Sequence, residues 1–252
     1  MLNIFSFVYF MWLFAAIVLF FLVHFLFKDK NAKTKYYILV GFAVFTWVNH
    51  FSRYWLDPDY QTFKILFQDF CGFNTMMLPF LLLSRKQVAY DIMFLCGALF
   101  AFHSLAYPNN IEGDPILYFN TIRFFFAHFL LVSIPIWMIV WGLYTPDIKN
   151  VKWAFIYLLI GAMYNLGLSA AMLEMNLVGR LYNFMGLWGN TDSVYRISEK
   201  IAPFFRYSVE VNGVVTSKPI PFLYMLPTLI IVYVPIWVGM TYPFIKRKKV
   251  MK

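Results

Sequence analysis

Runs of about twenty mostly apolar residues, parted by short charged or turn-rich connections, leave this chain few ways to fold. A backbone that crosses hydrocarbon must satisfy its own hydrogen bonds, so such runs become helices. They fall at residues 4–27, 36–55, 61–83, 87–107, 117–144, 151–175 and 220–244. Composition agrees: 62% of the 252 residues are hydrophobic and 13% are charged, with a mean hydropathy of +0.66. Soluble domains are about 45–50% apolar and about 25% charged. The expectation is an all-α, polytopic membrane protein of seven transmembrane helices, forming a single integral domain over residues 1–252. Residues 4–27 have neither a basic leader nor a small-residue cleavage site and read as an anchor.

The formal charge of +9 suggests nucleic acid, but its distribution argues against that partner. Thirteen Lys and Arg fall in the connections after runs one, three and five and in the tail; seven fall on the other side. That bias orients the N-terminus outside and the C-terminus in the cytoplasm of the cell membrane. The connection over residues 176–219 is then extracellular. Within it, Tyr207-Ser208-Val209-Glu210-Val211, Asn212-Gly213 and Val214-Val215-Thr216 predict a β-hairpin near 207–216, with β-branched flanks around a two-residue turn.

Polar residues inside the runs are costly in lipid and therefore informative. Gln68, Cys71, Asn74 and Thr75 recur at helical spacing in run three, with Asp69 on a neighbouring face. Run two carries Thr46, Asn49, His50 and Arg53 on one face. Run four carries His103 and Ser104, run five Asn120, Thr121, Arg123 and His128, and run six Asn165, Ser169 and Glu174. All belong to the outer half or the midplane under this topology, which predicts an outward-displaced polar pocket. Plainer readings exist: Arg53 and Arg123 as snorkelling side chains, Asn165 and Ser169 as interhelical glue, Cys96 as a small packing residue.

Counting at 1.5 Å per residue from residue 61, Cys71 lies about 15 Å deep; counting from Leu117, His128 lies about 16 Å deep. A thiol needs a base or a positive field to ionise, and a Cys–His pair with a third orienting group is a minimal acyl-transfer nucleophile. Asp69, Arg123 and Asn120 are all candidates for that third group. Asn74 and Arg123 are placed to stabilise an oxyanion or hold a lipid phosphate, and Asn49, His50 and Asn120 to line the same pocket. The two cysteines make no CxxC, and the histidines and acids show no ligand spacing, so neither a metal nor another cofactor is implied.

Three segments resemble the transmembrane protein 164 family and its bacterial YwaF-like members: Cys71-Gly72-Phe73 leading to Leu78-Pro79-Phe80-Leu81-Leu82-Leu83; Leu95-Cys96-Gly97-Ala98-Leu99 through Tyr107-Pro108; and Ile122-Arg123-Phe124-Phe125-Phe126-Ala127-His128, followed by Gly142-Leu143-Tyr144-Thr145-Pro146. The resemblance covers roughly residues 65 to 190. Where bacterial members tend to carry a His ahead of the cysteine, this chain carries Asp69. The resemblance implies lipid acyl chemistry, with the nucleophile at Cys71 and the histidine at His128. The expectation is a membrane-embedded phospholipid acyltransferase or lipid ester hydrolase whose partners are membrane lipids. The alternative is a non-catalytic protein that binds or transports a lipid or small molecule through the same pocket.

Overall fold

The computed structural model describes residues 3, 5–57, 65–108, 111–177, 200–201, 204–211, 214–220 and 223–250. The chain is mostly helical and divides into two compact units, Met1–Ala154 and Phe155–Lys252. Five helical stretches are long and apolar enough to cross a membrane: α1 (Phe7–Phe27), α4 (Gln87–Ala106), α5 (Phe119–Val140), the stretch Ile148–Glu174 that contains α6 (Val151–Glu174), and α7 (Leu226–Ile245). The other two, α2 (Ala32–Phe51) and α3 (Asp69–Leu83), are less suited. α2 carries Lys33, Lys35, Asn49 and His50, and α3 has only 15 residues.

In the first unit, α5 is the central element, packed against α1, α2, α3 and α4. Aromatic rings laminate α1 to it: Trp12 stacks on Phe125 at 5.2 Å and Phe20 on Trp137 at 5.3 Å, and the Trp137 indole donates to the Phe20 carbonyl. Tyr9 donates its hydroxyl toward the Leu105 and Ala106 carbonyls at 3.0 and 3.1 Å, which covers acceptors that the end of α4 leaves open. α5 closes with Gly142 at φ +73° and a six-to-one bond from Leu143 N–H to the Met138 carbonyl, a turn only glycine makes without strain. Within α4, Met93–Ala98 winds as a π-helix and is buried throughout.

The third run departs from expectation. Its α-helix starts at Asp69 and not near 61; residues 61–64 lie outside the described residues, and none of Ile65–Gln68 is α-helical. Asp69 adopts φ +58°, and its carboxylate Oδ1 accepts from Gly72 N–H at 2.8 Å. The side chain thus caps α3 where apolar periodicity alone would have continued it upstream. The incoming segment lies so close that a Cβ on Gly72 would sit 2.8 Å from the Phe67 carbonyl carbon. Inside α3, Pro79 removes a donor from the ladder.

In the second unit, Asn165 donates back to the Gly161 carbonyl of its own helix, and Thr241 to the carbonyls of Trp237 and Val238. Strands β1 (Arg206–Val211) and β2 (Val214–Pro219) pair antiparallel, with Val211 opposite Val214. The hairpin expected near 207–216 is present, and its turn residues 212–213 lie outside the described residues.

Candidate functional site

Alternating helix direction brings the end of α2, the start of α3, the end of α4 and the start of α5 together at one end of the first unit. Cys71 sits in the first turn of α3, two residues past Asp69. It is neither mid-helix nor at the depth that a start at residue 61 implied. The sulfur lies 3.3 Å from Ser104 Oγ on the last turns of α4. Thr75 donates its hydroxyl to the Cys71 carbonyl at 2.8 Å, and Asn74, one turn further in, is 3% exposed.

His50 secures the approach to this turn. Its Nε2 meets the Ile65 carbonyl at 2.7 Å, and its ring stacks on Phe67 at 4.1 Å. A carbonyl only accepts, so Nε2 carries the proton and Nδ1 keeps its lone pair. His50 therefore anchors the segment whose backbone lies over Gly72. Asn49, one residue earlier, donates to the Arg123 carbonyl at 3.4 Å and ties α2 to α5.

Arg123, about one turn into α5, is half-buried, and its Nε has no hydrogen-bond partner among the described residues. Arg53, Asp57 and Asp69 are near enough to act on its charge. Asn120 donates to Asp57 Oδ1 at 3.5 Å, and Asp57 is 6% exposed. Two guanidinium groups and two carboxylates thus share one end of the unit, and no ligand set for a metal occurs among the described residues.

His128 lies further along α5. Its Nδ1 meets the Phe124 carbonyl at 2.8 Å, so Nδ1 is the protonated nitrogen and Nε2 is left as the acceptor. Among the described residues no hydrogen bond joins Cys71 to His128; the partner of the thiol is Ser104. The residues brought into contact are Cys71 with Ser104, Asn49 with Arg123, Asn120 with Asp57, and Asp69 with the turn that carries Cys71. Asn165 and Ser169 belong to the second unit.

Two groups that carry no sequence-assigned role stand out. Ser104 is one: the sequence places it with His103 among the polar residues of run four and does not pair it with Cys71. The other is Asp91, near the start of α4 and 0% exposed. Its Oδ1 accepts from the Tyr144 hydroxyl and from Asp147 N–H at 2.9 Å; its Oδ2 accepts from Gln87 at 3.0 Å and from Asn150 at 2.6 Å. Burial and the neighbouring carboxylate push the Tyr144 phenol well above its ordinary value. Thirteen residues of α4, about 20 Å, separate this hub from Ser104. It organises the turn after α5 and takes no part in the site.

A model of the TMEM164 family matches residues 3–241 of the chain. Comparison with curated proteins and with solved structures finds no match.

Proposed function

The chain belongs to the TMEM164 family, and from that membership we propose that it is a membrane-embedded lipid acyl-transfer enzyme, acting as a phospholipid acyltransferase or lipid ester hydrolase. The observation that carries this reading is the setting of Cys71, in the first turn of a helix with a hydroxyl against its sulfur. Cys71 gives its proton to His128 Nε2, directly or through one water, and the thiolate attacks the acyl carbonyl carbon. The ester C–O bond breaks, the departing alkoxide takes the proton from His128, and a thioester remains. An acceptor hydroxyl, or water, then passes its proton to His128 and attacks the thioester; the C–S bond breaks and the thiolate regains the proton. Arg123 and Asn74 stabilise the oxyanion or hold a lipid phosphate, and Asn120 helps line the pocket.

Cys71→Ala and His128→Ala proteins, assayed with radiolabelled phospholipid in vesicles, test this. Each should lose acyl turnover by about a hundredfold or more while still inserting, because members of one catalytic unit are not additive. Retained turnover in Cys71→Ala would remove the nucleophile assignment. The Nε of Arg123, without a hydrogen-bond partner among the described residues and set with three other charged groups, favours a second reading, a lipid or small-molecule binder or transporter. Lipid uptake without acyl turnover, unaffected by Cys71→Ala, would select it.

The same proposal includes seven spans, with α2 and α3 completing the five apolar helices, an outside N-terminus and a cytoplasmic C-terminus in the cell membrane. The bias of thirteen basic residues against seven supports this orientation. Gly213→Cys should react with an impermeant maleimide on intact cells and Lys248→Cys should not; the reverse pattern overturns the orientation.

A further inference from the structure

Hydroxyls buried in apolar helices usually turn back onto a carbonyl of their own helix. Thr46 does so to Ala43 at 2.7 Å, Thr75 to Cys71 at 2.8 Å and Thr241 to Trp237 at 3.0 Å. Ser104 does not: its described hydrogen bond crosses from α4 to α3 and ends on the Cys71 sulfur. Tyr9 holds the carbonyls of the next two residues, Leu105 and Ala106, which fixes the turn of α4 that carries the hydroxyl. On the other side, the carboxylate cap at Asp69 and the close packing at Gly72 fix the turn that carries the thiol. Both partners are therefore held by independent backbone contacts.

We propose that Ser104 is a catalytic residue of the acyl-transfer reaction, donating its hydroxyl hydrogen to the Cys71 sulfur when that sulfur is anionic; this rests on the reading of Cys71 as nucleophile. With a neutral thiol either atom can donate. Once the proton has gone to His128, the sulfur can only accept and Ser104 can only donate, so the bond becomes charge-assisted. It therefore strengthens in the states that carry negative sulfur, namely the attacking thiolate and the sulfur expelled from the thioester. No bond to Ser104 forms or breaks. Asp69 is a positioning residue here: its carboxylate sets the backbone and does not receive the thiol proton.

The test is alkylation of the full chain by iodoacetamide in detergent micelles between pH 6 and 10. A Cys96→Ala background makes the label report Cys71 alone. Ser104→Ala should move the alkylation midpoint up by about one pH unit and slow the reaction near pH 7.5 about tenfold, the effect of one lost hydrogen bond to a charged group. Ser104→Thr, which keeps the hydroxyl, should stay within about threefold of the parent. A loss of packing alone would leave the midpoint unmoved. An unchanged midpoint in Ser104→Ala, an equal shift in Ser104→Thr, or a Cys71 that is unreactive at every pH overturns the proposal. The alkylation profile and lipid turnover fail separately. A shifted midpoint with full turnover in Cys71→Ala would retain the hydrogen bond and remove the acyl-transfer reading beneath it.

Discussion

The indole N–H of Trp47 donates to the Thr75 carbonyl at 3.0 Å, the carbonyl that Pro79 leaves without a partner four residues on in α3. A bare carbonyl in hydrocarbon costs several kcal/mol, so a helix that keeps a proline there needs a donor from outside. α2 supplies it, and the contact fixes how α2 lies along α3. Trp47→Phe should lower stability in detergent by about 1–2 kcal/mol. In a Pro79→Ala background, where the helix recovers its own donor, the same change should cost clearly less. Equal losses in both backgrounds would show that the indole acts by packing alone.

Asp91 should be among the least replaceable residues outside the site. Asp91→Ala strands four donors at once and should cost about 3 kcal/mol or more, read as a fall in melting temperature. Iodoacetamide labelling of Cys71 in protein that still folds should be unaffected, because the two groups lie at opposite ends of α4. Altered labelling in folded Asp91→Ala protein would contradict the separation of hub and site.

Tyr144 adds a pH dependence with a definite sign. Its phenol is raised by burial and by the Asp91 carboxylate, so folding favours the protonated form. That contribution is complete below the ordinary phenol value near pH 10 and fades as pH climbs beyond it. Melting temperatures between pH 8 and 11 should fall at the alkaline end, and less steeply in Tyr144→Phe. Identical slopes would assign the alkaline loss to other tyrosines.

At the head of α3 the backbone makes two separable demands. Gly72→Ala forces a methyl against the Phe67 carbonyl carbon and should cost about 1–3 kcal/mol. Asp69→Asn keeps both an acceptor and a residue that tolerates φ +58°, and should melt close to the parent. Asp69→Ala loses both and should cost about 1–2 kcal/mol. A parent-like melt for Gly72→Ala would mean the Ile65–Gln68 segment yields easily.

Apolar run length made most helices readable, because a span in lipid is written as length and hydropathy. It failed at α3, where Ile65, Leu66 and Phe67 continue the apolar pattern without being α-helical. The signal that could have found the true start is Asp69 followed three residues later by Gly72, a capping residue and a close-approach residue. The polar face of Asn49, His50, Cys71 and Arg123 was visible as periodicity. Its internal pairing was not, since a sulfur on α3 and a hydroxyl on α4 share no sequence spacing. Asp91 was visible only as an isolated charge, its donors lying up to 59 residues away.

The π-helical stretch Met93–Ala98 divides α4 between its two anchored ends, Asp91 before it and Ser104 after it. In an α-helix each residue advances the facing direction by about 100°, and a π-helical turn accommodates one residue more than an α-helical turn would. Everything past Ala98 is thus set back by roughly a third of a turn relative to Asp91. Deleting one residue between 93 and 98 would let the stretch relax to α-helix and leave Ser104 still facing the Cys71 sulfur, because twelve α-helical steps turn about as far as the thirteen that include the π-helical turn; the Asp91 hub would be undisturbed. α4 behaves as a shaft with a fixed timing offset, one end keyed to the turn after α5 and the other to the thiol.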